Sequence, residues 1–129
     1  MSNNSFNCLI EARHGYYVYN KNDVYIGKSI EKYGEFSHLE AKLFEQICKE
    51  GDIVIEVGAN IGAHTVYLSK LVGKGVVFAF EPQRLVFQNL CANLAINSIS
   101  NVFAYQEAVG EENGNIVIPE CDFRKNNNF

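Results

Sequence analysis

Two acidic residues and two glycines carry the strongest chemical signal in this sequence. Glu56 lies near the end of an apolar run, Gly58 and Gly62 follow it, and Glu81 ends the next apolar run. Glycines at such a strand-to-helix turn let the chain bend sharply and let a ligand approach the backbone, and the helix start offers N–H donors. Glu81 stands 19 residues after Gly62, close to the roughly 20-residue offset at which an acidic side chain meets ribose hydroxyls in dinucleotide-binding folds. The spacing therefore predicts a ribose-bearing ligand.

The charge beside the turn separates two classes of ribose ligand. A pyrophosphate is bound by the backbone of a GxGxxG loop without a carboxylate nearby. Here Ala59 stands after Gly58 and Asn60 takes the place of the middle glycine, while Glu56 puts negative charge next to the turn. S-adenosylmethionine, which carries an ammonium and a sulfonium, is the cofactor we expect. An NAD-dependent oxidoreductase is the alternative enzyme.

Each of these residues also has a structural interpretation. Two glycines four residues apart are common in ordinary turns, and Glu81 could simply complement the dipole of the next helix. Asn60 either caps a helix or touches the cofactor. His64 follows the turn and could approach the cofactor, but the histidines have no acidic or cysteine partners at ligand spacing, so we expect no metal site.

Apolar runs of strand length alternate with helical patterns from about residue 37 to residue 106, which predicts an α/β fold with a parallel sheet. The cofactor-binding half is assigned to residues 37–129, and a β extension, with a hairpin loop at Asn20–Asp23, to residues 1–36. The capping box Ser37–Glu40 predicts a helix start, and Pro82 suits a first helical turn. Ile53–Val57 is expected to be a central strand buried on both faces. Further strands are predicted at Val76–Phe80, Val102–Tyr105 and Ile116–Ile118.

Composition excludes several classes of protein. The 129 residues have a net charge of −4 and no cluster of lysine and arginine, which argues against a nucleic-acid partner. Because no apolar run approaches the roughly 18 residues of a membrane span, no membrane association is expected. The four cysteines are scattered without a CxxC pair, which predicts a reducing, cytoplasmic location without disulfides or zinc.

Three runs of this sequence resemble the FkbM family of S-adenosylmethionine-dependent methyltransferases: GDIVIEVGANIGAHT at 51–65, FAFEP at 78–82 and NLCANLAINSISNV at 89–102. The segments 23–40 and 106–115 also look like that family. Such proteins usually carry aspartate at the position of Glu56, so the charge is kept.

The resemblance implies a class I, Rossmann-like methyltransferase fold. It places Glu56, Gly58, Ala59, Asn60 and Gly62 around the methionine part of the cofactor, Glu81 on the ribose hydroxyls, and Gln106, Glu107 and Ala108 at the adenine. Pro82 is also expected among the cofactor-binding residues. It also implies O-methylation of a sugar or polyketide-like small molecule, which takes the methyl group on a hydroxyl oxygen.

The chain supplies fewer strands than the sheet of that fold requires. We therefore expect an incomplete sheet and a C-terminally truncated chain that is inactive alone, in which the catalytic base cannot be named. A non-catalytic cofactor-binding or interaction module is the alternative from another functional class.

Overall fold

The chain forms a hairpin, two helices and then alternating strands and helices. A computed structural model describes residues 5–128. In chain order its elements are β1 (Asn7–Ala12), β2 (Gly15–Asn20), α1 (Ile26–Tyr33), α2 (His38–Ile47), β3 (Ile53–Val57), α3 (Thr65–Val72), β4 (Val76–Phe80), α4 (Arg84–Ile96) and β5 (Val102–Tyr105).

The last three strands form a parallel sheet in the order β3-β4-β5, with α3 and α4 as the crossovers. Val77 and Ala79, on one face of β4, are fully buried. Val77 lies in a cluster with Leu68 of α3, and Ala79 in one with Leu90 of α4, so both helices cover the same face. The predicted α/β fold with a parallel sheet is confirmed. The carboxyl ends of β3 and β4 lie side by side.

The opposite face of this sheet is uncovered in the described part of the chain. Three side chains of β3 are 71%, 68% and 59% exposed on it, namely Ile53, Ile55 and Val57. Beside them the aromatic rings of β4 and β5 stack in two pairs, Phe78 with Phe103 and Phe80 with Tyr105. β3 is also an edge strand. The prediction of a central strand buried on both faces is therefore wrong here, because both crossover helices lie on the other side.

The N-terminal hairpin turns earlier than predicted. β1 and β2 pair as antiparallel strands on either side of Arg13 and His14, so the prediction that Asn20–Asp23 is the loop of the hairpin is wrong, although a turn does lie there. That segment instead leads into α1, where the Asp23 carboxylate accepts the backbone N–H groups of Tyr25 (2.8 Å) and Gly27 (2.9 Å) and so satisfies a free donor of the first helical turn. The division of the chain at residues 36 and 37 stays a prediction.

Helix starts also differ from the sequence patterns. α2 begins where predicted, but Ser37 has φ 53° and its side chain makes no cap hydrogen bond, so the predicted capping box does not form. α4 begins at Arg84 after Gln83 as its cap, which leaves Pro82 ahead of the helix rather than in its first turn.

The segment after β5 has little regular structure. Residues 116–118, predicted as a strand, are not in one; the segment instead returns to the turn between β2 and α1, where Asn127 pairs with Asp23 in an isolated bridge. Among the described residues, no helix has both the length and the apolarity needed to cross a bilayer.

Candidate functional site

The loop between β3 and α3 is held by hydrogen bonds from its own backbone N–H groups. Gly58 and Ala59 both donate to the carbonyl of Phe80 at the end of β4 (2.9 and 3.0 Å). Gly62 donates to the carbonyl of Ala59 (2.9 Å). The N–H groups of Asn60 and Ile61 donate to side chains. Each N–H group of residues 58–62 therefore has an acceptor within the protein, and the expectation that the helix start offers N–H donors to a ligand stays a prediction for the first residues of α3.

Asn60 shapes the loop with both its backbone and its side chain. Its φ of 52° lies in the left-handed region, which asparagine tolerates better than most residues. Its Oδ1 accepts the N–H of Ile61 (2.8 Å), and its own N–H donates to Oε2 of Glu81 (3.0 Å). Because α3 begins only at Thr65, the N-cap interpretation of Asn60 is wrong. Contact between Asn60 and a cofactor stays a prediction.

The two glycines of the loop have opposite surroundings. Both have positive φ, 76° at Gly58 and 86° at Gly62. A Cβ built on Gly58 would meet nothing within 4 Å, whereas one on Gly62 would lie 2.8 Å from Cδ1 of Leu90 in α4. Open space therefore lies over Gly58, and close packing against α4 lies behind Gly62.

Glu81 connects the loop to the end of β4. Its side chain is almost fully buried, and its carboxylate accepts the N–H of Asn60 on Oε2 and the N–H of Gln83 on Oε1 (2.9 Å). The alternative interpretation of Glu81, as an exposed acid that only complements a helix dipole, does not fit this geometry. Because each carboxylate oxygen has a second lone pair, Glu81 can still accept hydrogen bonds from the hydroxyls of a ligand.

Glu56 lies at the end of β3 in a different environment. Its Oε2 accepts a hydrogen bond from Oγ1 of Thr65 at 2.6 Å, and Thr65 is fully buried. Burial raises the pKa of Glu56 to about 7, although the Thr65 hydrogen bond acts in the other direction. A cation beside this carboxylate would favour its ionised form and lower that pKa.

The predicted adenine residues follow β5. The N–H of Glu81 donates to the carbonyl of Tyr105 (3.1 Å), which brings the ends of β4 and β5 together. Pro82 and Gln106 line one cavity of about 350 Å³. Glu107 and Ala108 follow Gln106 and are exposed.

The histidines have acidic neighbours that their spacing does not indicate. Glu35 accepts hydrogen bonds from His14 (3.1 Å) and His38 (2.7 Å) and pairs with Arg13 (2.8 Å). Burial alone would raise the pKa of Glu35, but the hydrogen bonds from both histidines hold it below its usual value. His64 contacts the Phe36 carbonyl at 3.2 Å. Within residues 5–128 no group of three or more His, Cys, Asp or Glu residues could hold a metal ion.

Sequence reasoning missed two polar residues of this region. Thr65 lies within the run that carries the family resemblance, and its contact with Glu56 depends on the turn. Asn93 of α4 donates to the carbonyl of Ile61 at 2.8 Å. Its sequence signal is a row of asparagines at four-residue spacing, Asn89, Asn93 and Asn97.

Two curated relatives are similar to this chain. It is 26% identical over 101 residues to "Methyltransferase 1" of Beauveria bassiana, a match that covers 74% of this chain and 40% of the relative. It is 32% identical over 63 residues to a tRNA(Phe) (4-demethylwyosine(37)-C(7)) aminocarboxypropyltransferase of Methanocaldococcus jannaschii, covering 49% of this chain and 25% of that protein. The chain therefore spans less than half the length of these relatives. No family model matches the chain.

Solved structures share the fold. The crystal structure of M. jannaschii TYW2 in complex with AdoMet superimposes with a TM-score of 0.59 at 20% identity, over 81% of this chain and 44% of that one. The fold of the described residues is that of a class I methyltransferase, with a three-stranded parallel sheet and an N-terminal antiparallel hairpin.

The expected partners are corrected by these comparisons. We predicted a small-molecule methyl acceptor and no nucleic acid, but a relative at 32% identity is named for its action on tRNA(Phe). The prediction of no nucleic-acid partner rested on the absence of a cluster of lysine and arginine in this sequence. Because the chain covers 25% of that relative, an RNA-binding surface elsewhere in such a protein leaves no trace in these residues.

Proposed function

We propose that this chain is the S-adenosylmethionine-binding part of a methyltransferase. One observation carries the proposal: the N–H groups of residues 58–62 are all used within the protein, while the carboxylates of Glu56 and Glu81 lie near the ends of the neighbouring strands β3 and β4. Such a site is poor for a pyrophosphate, which needs N–H donors. It suits a ligand with positive charge and ribose hydroxyls. The name of the B. bassiana relative and the AdoMet complex of the M. jannaschii structure agree with it.

Each predicted residue has a role in this proposal. Glu81 accepts hydrogen bonds from the ribose hydroxyls, and Glu56 supplies negative charge near the ammonium. The backbone of Gly58, Ala59, Asn60 and Gly62 forms the floor beneath the methionine part. Pro82, Gln106, Glu107 and Ala108 surround the adenine.

The chemistry that these residues support is methyl transfer by direct displacement. The bound cofactor would supply an electrophilic methyl group on a sulfonium. Residues of this chain would fix the position of the cofactor, and a loop whose N–H groups are already used disfavours a pyrophosphate. A cofactor-binding part contributes to catalysis chiefly by restricting the motion of the bound cofactor, which lowers the barrier for a correctly aligned acceptor.

We propose a nucleic acid as the acceptor class of the whole protein, on the strength of the tRNA-acting relative. The same relative is named for transfer of an aminocarboxypropyl group, so the transferred group needs its own test. Incubation of the whole protein and RNA with cofactor labelled on either the methyl or the carboxyl carbon separates the two. We expect label in RNA from the methyl carbon only.

The FkbM resemblance is retained as a proposal, on the motifs around Gly58–Gly62 and Glu81. The cytoplasmic location likewise stays a prediction.

Cofactor choice is tested by calorimetry on the 129-residue chain. S-adenosylhomocysteine should bind saturably and be displaced by S-adenosylmethionine, whereas NAD⁺ should give no heat of binding. Saturable binding of NAD⁺ alone would replace the methyltransferase with the oxidoreductase alternative. Cofactor binding without any group transfer by the whole protein would favour the non-catalytic module.

A further inference from the structure

One row of asparagines on α4 faces the hairpin. Asn97 accepts the N–H of Tyr16 on Oδ1 (2.8 Å) and donates to its carbonyl from Nδ2 (2.7 Å). Asn93 does the same with Val18 (2.6 and 3.0 Å). Each amide side chain therefore satisfies both backbone groups of one β2 residue, as a neighbouring strand would.

Asn93 makes one contact that Asn97 does not. Its second Nδ2 hydrogen goes to the carbonyl of Ile61 at 2.8 Å. The Asn93 side chain is fully buried, and its acceptor and both of its donors are used. Asn97 instead gives its second hydrogen to the carbonyl of Asn93 (2.7 Å).

The Ile61 carbonyl belongs to the loop proposed to hold the cofactor. The N–H of the same residue is bound by the Asn60 side chain, and the N–H of Asn60 is bound by Glu81. A continuous series of hydrogen bonds thus runs from the edge of β2 through Asn93 and Ile61 to the carboxylate proposed for the ribose.

We infer that Asn93 is a positioning residue, which couples the hairpin to the cofactor loop and holds that loop in its binding conformation. This inference rests on the proposed function. It assigns the hairpin a part in the site, although the described hairpin residues make no direct hydrogen bond to Glu81 or Gly58.

The test compares Asn93→Ala with the matched control Asn97→Ala. Both variants remove two hydrogen bonds to β2, but only the first removes the bond to Ile61. We expect the first to weaken binding of S-adenosylhomocysteine by about tenfold or more, the scale of a lost buried hydrogen bond with its unpaired partner. The control should stay within about twofold of wild type. Equal affinities in the two variants, or wild-type affinity in Asn93→Ala, would overturn the inference.

Amide hydrogen exchange keeps the inference testable if Asn93→Ala fails to fold. In the wild-type chain, S-adenosylhomocysteine should slow exchange at Val18, because coupling between two sites is reciprocal. Slower exchange at 58–62 with no change at Val18 would contradict the coupling.

Failure of the proposed function is distinguished by the ligand-free proteins. If S-adenosylhomocysteine does not bind the wild type at all, the proposed cofactor is wrong. The exchange rates of Asn60 and Ile61 still decide the positioning role: they should rise in Asn93→Ala and not in Asn97→Ala. If Asn93→Ala also fails to fold, the same comparison uses Asn93→Ser, and unchanged rates in the folded variant would overturn the inference.

Discussion

The carboxylates of Glu56 and Glu81 lie at neighbouring strand ends but have different hydrogen-bond partners. Glu81 accepts two backbone N–H groups, those of Asn60 and Gln83, which fix the position of its carboxylate. Glu56 is paired with a single hydroxyl, that of Thr65, and burial raises its pKa to about 7.

Replacing Glu81 tests its role as an acceptor. Glu81→Ala removes the acceptor of the Asn60 N–H together with the proposed acceptor of the ribose hydroxyls. We expect affinity for S-adenosylhomocysteine to fall by on the order of 1–3 kcal/mol, the value of hydrogen bonds to a charged group. Calorimetry measures it, with the exposed Glu112→Ala as control. Unchanged affinity in Glu81→Ala would remove this residue from the site.

The pH dependence of binding tests Glu56. The ammonium group of S-adenosylhomocysteine prefers the ionised Glu56 carboxylate, so affinity for this ligand should rise as pH increases through about 7 and then level off. Glu56→Gln, which can still accept the hydrogen bond of Thr65, should show a flat profile. A wild-type profile that is equally flat would contradict this role.

Folding stability depends on the same group with the opposite sign. The pKa of Glu56 is raised in the folded chain from 4.5 to about 7, so the folded state binds more protons than the unfolded state between these values. The stabilisation from Glu56 should be fully present below pH 4.5 and be lost as pH rises through about 7. Urea denaturation across this window should show the decline in wild type relative to Glu56→Gln. A constant difference between the two proteins would contradict the raised pKa.

At the scale of elements, the two glycines of the loop between β3 and α3 have different purposes. Gly62 allows the loop to pack against α4, and Gly58 leaves space for a ligand. Gly62 needs both its positive φ and its missing Cβ, because Leu90 lies where a side chain would begin. Gly58 needs only its positive φ, since the space around it is open.

An alanine at each glycine should therefore act differently. Either substitution costs about 1–2 kcal/mol for a left-handed conformation, and Gly62→Ala adds a clash with Leu90. We expect the lower unfolding midpoint in Gly62→Ala and the larger loss of affinity per unit of lost stability in Gly58→Ala. Thermal unfolding and calorimetry on the same samples measure both. Equal effects of the two substitutions on both quantities would contradict the open side of the loop.

The strands of the sheet were predictable because Ile53–Val57, interrupted only by Glu56, and Val76–Phe80 are apolar runs of strand length. The contact between the loop and Glu81 was also predictable, because the carboxyl ends of two neighbouring parallel strands lie at the same edge of the sheet. Helix α1 was not predictable from the tyrosines and β-branched residues between Leu9 and Ile30, because that composition favours strands and the Asp23 contacts at the start of the helix depend on the fold. Asn93 was missed for a related reason: its partners lie in β2 and in the loop, far apart in sequence.

At the scale of the whole molecule, one face of the sheet is apolar and is left uncovered by residues 5–128. It combines the exposed side chains of β3 with the stacked aromatic pairs of β4 and β5. Exposed apolar sheet faces and open edges promote association. The 129-residue chain should therefore associate in solution.

Size-exclusion chromatography with light scattering measures this association. Ile55→Lys places a charge in the middle of the uncovered face and should shift the chain toward monomer. Val117→Lys is the control, since Val117 is also exposed but lies outside the sheet. A sharp wild-type monomer peak, or equal effects of both lysines, would show that the face is not the cause.

The central claim is that the loop from Gly58 to Gly62, with Glu81, binds S-adenosylmethionine. Titration of the ¹⁵N-labelled chain with S-adenosylhomocysteine, followed by ¹H–¹⁵N NMR, tests it most directly. Saturable shifts should concentrate at residues 58–62, 81–83 and 106–108. Saturable shifts that leave all three segments unchanged, or no shifts at any ligand concentration, would contradict the claim.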